Sequence, residues 1–83
     1  MDTMASFFSL VERFCEAERI AEATLSSRLF NDGKRIAALR SGRDIGVLRL
    51  ARAVAWLSEH WPDRAEWPNG TARPEKPQGD AAR

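Results

Sequence analysis

Apolar residues recur along this chain at helical intervals. Phe7, Leu10, Val11, Phe14 and Cys15 follow one another in steps of three, one, three and one. That pattern lays one apolar stripe along a helix. It predicts a first helix over Phe7–Glu18, with Ser6 as its cap and Glu12, Arg13 and Glu16 on the wet side. Phe8 falls off the stripe and is expected against the C-terminal part of the chain. Cys15 lies within the stripe and reads as a small buried hydrophobe rather than a reactive thiol. Arg19–Ala21 breaks the run, with Ile20 as its apolar residue. A second helix is expected over Glu22–Phe30, its seam formed by Leu25, Leu29 and Phe30. Its outer face offers Glu22, Ala23, Thr24, Ser26, Ser27 and Arg28. Asn31-Asp32-Gly33 stops it, since Asn and Gly tolerate the left-handed backbone that ends helices.

Lys34–Arg40 reads as a third, short helix with Ile36 and Leu39 inward, closed by Ser41-Gly42. Asp44 is the expected N-cap of a fourth helix over Ile45–His60. There Val47, Leu50, Ala51, Val54, Leu57 and Trp61 form a long stripe that Leu48 and Ala55 widen, while Arg49, Arg52 and Trp56 share another side. Pro62 ends that helix. Trp61-Pro62 and Trp67-Pro68 repeat a dipeptide and predict an extended segment whose indoles fold back onto the helices. From Asn69 onward Gly, Pro, Lys, Gln and Asp dominate with no large apolar residue, so 69–83 is expected to be a disordered tail. No stretch alternates as a strand would. The fold class that follows is all-α: a compact bundle of about four helices over residues 1–68, with the tail beyond.

Length narrows the picture. With 83 residues in all, and about 60 left for a core, burial is marginal and dimerisation is a common remedy. No run approaches the roughly 20 apolar residues of a membrane span. No basic region followed by an apolar core marks a signal peptide, and the cytoplasm is the expected compartment. One cysteine and one histidine supply neither a disulfide nor a metal-ligand set, and no cofactor is implied. His60 lacks a paired nucleophile and there is no glycine-rich phosphate loop, which speaks against an enzyme and a small-molecule substrate. Net charge is +1, unevenly spread: residues 1–33 carry three basic and six acidic groups, residues 34–64 seven basic and three acidic. A basic middle is compatible with phosphate contact and equally with a soluble surface.

The outer face of the second helix carries the most chemistry. Hydroxyl residues are poor helix formers because their side chains compete for backbone hydrogen bonds. Three on one short helix fit a face that lies close to another surface, such as the major groove of DNA, or a plain solvated face. Two helices across a tight break, then a short and a longer helix, make a helix-turn-helix arrangement. Thr24-Leu25-Ser26, then Arg28-Leu29-Phe30-Asn31-Asp32-Gly33-Lys34, and Leu39-Arg40-Ser41-Gly42 resemble lambda-repressor-like (Cro/CI, XRE-type) regulators, more narrowly small proteins of proteobacterial prophages and mobile elements. The resemblance covers about Phe7–Trp61. It departs at Arg19, where a turn glycine is usual, and at Ala21, where a Ser cap is usual. The Leu25-to-Leu29 step leaves the register of the outer face open by one residue.

The resemblance implies sequence-specific binding of double-stranded DNA by a transcription regulator, with Glu22–Phe30 in the major groove. Ala23, Thr24, Ser27 and Arg28 would face the bases, Arg28 through a two-pronged bond to guanine. Ser26, Lys34, Arg35, Arg40 and Arg43 would hold the sugar-phosphate backbone. Such modules bind near-palindromes as two-fold dimers, here through the fourth helix with Trp56, Trp61 and Trp67. The rival expectation is a helical module that binds protein, an antiactivator or adaptor, with an exposed apolar groove around Trp56 and Trp61.

Overall fold

The computed structural model describes residues 3–68 and 70–74, and among them four helices and no strand. They are α1 (Thr3–Glu18), α2 (Glu22–Phe30), α3 (Arg35–Arg40) and α4 (Val47–Glu59). α1 runs through the middle of the core. Phe7, Leu10, Val11 and Phe14 are all buried, joined by Leu25 of α2, Ile36 and Leu39 of α3, and Ala53 and Leu57 of α4. Each large side chain in that set contributes about 1.5–3 kcal/mol by leaving water. α1 starts at Thr3, three residues before the expected cap, so Ser6 sits inside the helix. Phe8 packs beside Phe7 and under the Arg40 guanidinium, 4.6 Å from its ring centre, rather than against the C-terminal part.

The stops are local and explicit. Arg19 takes a left-handed backbone, φ 58°, and Ile20 N–H reaches back to the Cys15 carbonyl at 3.1 Å. This is the closing bond of a Schellman turn, with an arginine where glycine is the usual residue. Ile20 then tucks against the core. Ala21 caps α2 with its carbonyl alone; no side chain caps the helix. At the far end Asn31, at φ 57°, supplies the left-handed residue. Gly33 serves a different need: a β-carbon there would sit 3.3 Å from Ser27 Oγ, so the turn lies close against α2. α3 ends in a second Schellman turn, where Gly42 adopts φ 108° and Arg43 N–H bonds to the Ala38 carbonyl.

α4 begins two residues later than the pattern suggested. Gly46, not Asp44, is its cap, and no side chain bonds to its first turn. The inward stripe holds from Leu50 through Val54 and Leu57, with Ala53 and Ser58 also inside. Val47 and Leu48 are 83% and 73% exposed and Ala51 is exposed, so the first turn of α4 leaves the core. After α4 the chain does fold back. Trp61 Nε1 donates to the Ala65 carbonyl and Trp67 Nε1 to the Thr71 carbonyl, and the two indoles meet edge-on at 4.8 Å. Part of the expected tail belongs to this strap. Arg73 donates to Ser58 Oγ and to the Ser58 carbonyl, and Ser58 Oγ donates to the Pro74 carbonyl. Residues 70–74 are therefore ordered against α4, because buried Ser58 gives them a polar anchor; residues 69 and 75–83 of the expected tail lie outside the described residues.

Candidate nucleic-acid interface

Packing α2 on α1 and α3 settles which of its residues face out. Leu25 and Ser26 are buried, while Ala23, Thr24, Ser27 and Arg28 are exposed. All four expected base-facing positions thus lie at the surface, with Ala23 and Ser27 bordering the Gly33 turn. Ser26 does not. Its hydroxyl donates to the Asp32 carbonyl and accepts from Ile36 N–H at 3.0 Å, tying α2 to α3. With no exposed surface it cannot touch a phosphate, so the expected backbone contact becomes a structural tie. The physical reason is that α3 must satisfy its first buried amide, and Ser26 is the hydroxyl within reach.

The basic residues divide into separate groups. Arg40 is spent within the protein, which corrects its expected role at the DNA backbone. Its Nη2 donates to Glu22 Oε1 at 2.8 Å and to Glu12 Oε2 at 3.4 Å, and its Nε also faces Glu22. The hydrogen bonds to Glu22, chief among the causes, raise the arginine's pKa further. Arg43 lines a depression with Met4, Ile45 and Leu50, apart from Arg28. Lys34 is exposed, and its backbone N–H donates to Asp32 Oδ1 at 2.9 Å. Arg35 is half-buried, with Nε 3.9 Å from Asp32 Oδ2.

Arg28 and Arg35 come together in one open cleft of about 480 Å³ between α2, α3 and α4. Arg49 and Arg52 of α4 line the same cleft. Those two were not legible as site residues. The one sequence signal was their three-residue spacing on a helix, which shows a shared face but not what that face meets. Among the described residues Arg28 has no ion pair; the carboxylates that could have engaged it, Glu22 and Asp32, are turned to Arg40 and Arg35.

The tryptophans are occupied at home. Trp56 packs on Phe14 and stacks on His60 at 4.0 Å; Trp61 packs on Phe14 and Trp67. All three are partly buried against the core, and Trp61 and Trp67 have their indole N–H groups satisfied within the chain. Folding engages much of each ring and leaves a partly exposed edge where the dimer contact was expected. Cys15 is partly buried, and burial, then the Glu22 charge, push its thiol pKa up. Among the described residues no group of three potential metal ligands gathers, and no helix is long and apolar enough to cross a membrane. Comparison with family models, curated proteins and solved structures finds no significant match.

Proposed function

We propose that this protein binds duplex DNA, with the exposed face of α2 toward the base edges and the neighbouring arginines on the sugar-phosphate backbone. The observation that carries the reading is the shared cleft of Arg28 and Arg35: an unpaired arginine on the hydroxyl-bearing face lies beside a backbone-contact candidate from the next helix. Thr24, Ser27 and Arg28 are the side chains for base contact, with Ala23 admitting close approach; Lys34 and Arg35 set register. Because Ser26 ties α2 to α3, the two helices would meet the duplex as one rigid body. Ala37 and Ser41 are exposed on α3 and supply the comparison for deciding which helix reads sequence.

The test is duplex affinity measured against salt, after selecting the preferred site from random DNA. Affinity should fall steeply as salt rises. Arg28→Ala should cost about 1–3 kcal/mol at the preferred site and little on random duplex. Equal losses on both would reduce Arg28 to a backbone contact, and losses confined to Ala37 and Ser41 variants would move base reading to α3. No measurable duplex binding at low salt would remove the reading altogether.

A second reading, a helical module that docks on protein, has one observation in its favour. The exposed apolar pair Val47 and Leu48 stands at the start of α4, away from the tryptophans where such a groove was expected. The same pair is a further candidate for the two-fold contact that a DNA-binding dimer would use. Sedimentation of the wild type and of Leu48→Glu, with and without DNA, separates these uses. A self-association that Leu48→Glu abolishes points to the dimer; a monomer throughout leaves the pair to a different protein.

A further inference from the structure

We propose that the cleft between α2, α3 and α4 is a phosphate-binding site, in which Arg49 and Arg52 act together with Arg35, while Arg28 on the same wall is left for the base edge. The source of that phosphate, on the DNA-binding reading above, is the phosphodiester backbone.

Four arginines from three helices line one cleft, and the residues lining it include no carboxylate. Three of the acids on α1 and α2 are engaged elsewhere. Glu12 and Glu22 are held by Arg40, and Glu18 by Arg64. Asp32 is the nearest flanking acid, and at 3.9 Å from Arg35 Nε it is outside hydrogen-bond reach. Arg35 Nε is buried with no hydrogen-bond partner, a donor beside the cleft left without an acceptor. Arg28, Arg49 and Arg52 are exposed and without ion pairs among the described residues. Folding gains nothing from such a grouping, since the like charges three apart on α4 repel and α2 and α3 bring in more of the same sign.

A bound anion reverses that balance. The guanidinium fork matches oxygen pairs on a tetrahedral phosphate, and a phosphate has enough acceptor oxygens to engage several forks at once. Leu29 and Phe30 form an apolar part of the wall, which keeps water from one side and strengthens the field of the arginines. The cleft is open rather than enclosed, as a site for a group carried on a long polymer must be.

The experiment has two arms on the full chain. In the first, inorganic pyrophosphate is titrated at constant ionic strength while the arginine Nε–Hε signals are followed by NMR. Those of Arg35, Arg49 and Arg52 should move together and saturate, while those of Arg13 and Arg19 stay in place. In the second, random duplex DNA is titrated across a salt series with the wild type and with R49Q/R52Q. Both positions are exposed, and an unchanged circular dichroism spectrum and melting temperature verify the fold. The double variant should bind more weakly, with a slope of log affinity against log salt shallower by about 0.9 for each phosphate it no longer neutralises. Saturable pyrophosphate shifts with no duplex binding would keep the cleft, overturn the DNA reading and assign the site to a free phosphorylated molecule. Duplex binding with an unaltered slope in R49Q/R52Q, and no concerted pyrophosphate shift, would overturn the cleft while leaving the DNA reading in place. Failure of both arms would overturn both.

Discussion

Arg19 holds a backbone conformation that L-residues adopt at a cost of about 1–2 kcal/mol, because the β-carbon crowds the following carbonyl. The turn persists because it closes α1 with the Ile20–Cys15 bond and buries Ile20, together worth more than the strain. Arg19→Gly should therefore raise stability by about 0.5–1 kcal/mol, the relief of strain less the extra freedom of glycine in the unfolded chain. A urea midpoint shift at unchanged slope measures it; a decrease would mean that the arginine side chain, not the turn, matters there. Cys15 yields a pH prediction. Its pKa is raised by burial, so in the folded chain the thiol keeps its proton after the unfolded chain has lost it. Folded protein then binds more protons, and stability falls as pH rises past the ordinary thiol range, levelling off only above the raised value. Thermal melts across alkaline pH should show this fall in the wild type and a smaller one in Cys15→Val.

Elements in this protein are held to one another by few polar ties placed between apolar faces. Ser26 is the tie between α2 and α3. Removing its hydroxyl strands the Ile36 amide in a buried position and releases the Asp32 carbonyl. A stranded buried donor costs about 1–3 kcal/mol, more than the few tenths that alanine gains in helix propensity. Ser26→Ala should thus lower stability by about 1–3 kcal/mol, and by about 4–8 °C in melting temperature per kcal/mol. Ser27→Ala, one residue on and exposed, is the matched control that should leave the melt near the wild-type value. Arg40 has a comparable role at the first turn of α2, linking it to α1 through Glu22 and Glu12. Those pairs are exposed, and each contributes little to stability. Their larger effect is to hold Glu12 and Glu22 on Arg40, so that neither neutralises Arg28 or the α4 arginines.

Across the whole molecule the C-terminal strap closes what four short helices leave open. Pro68 is buried, Trp67 is bonded to Thr71, and the Arg73 guanidinium lies 5.0 Å over the Trp67 ring. Truncation after Pro68 would remove the Trp67 and Ser58 partners at a stroke. Four hydrogen bonds at about 1 kcal/mol each and one cation–π interaction put the expected loss at up to about 4–5 kcal/mol, a large share of the stability of a domain this size. Denaturant titration of the truncated and full chains measures it, and identical midpoints would show the strap to be ornamental. The same scale governs charge. A net charge of +1 conceals an uneven distribution, with four arginines about one cleft that no carboxylate lines, and Glu12, Glu18 and Glu22 paired elsewhere. Any polyanion binding must come from that asymmetry, not from the total.

The sequence by itself determined the helices, their stops and most of the core. Helical periodicity is a local property, so Phe7, Leu10, Val11, Phe14, Leu25, Ile36, Leu39 and Leu57 could be placed inside without knowing what they touch. Backbone chemistry is local too, which is why Asn31 and Ser41-Gly42 were legible as ends, whereas the left-handed backbone of Arg19 was decided only in the fold. Only the tertiary structure decided which face of a helix is covered, and by what. Ser26 and Ser27 are neighbours of the same chemistry, yet one is sealed under α3 and the other open, because burial depends on where another element docks. Arg40 met its carboxylates from α1 and α2, and Arg49 and Arg52 met Arg28, across stretches of chain that no spacing rule connects. Val47 and Leu48 fit the apolar pattern and still lie in solvent, because the first turn of α4 projects beyond the core. Charge partners and coverage are set by distances in space, and those exist only once the helices have packed.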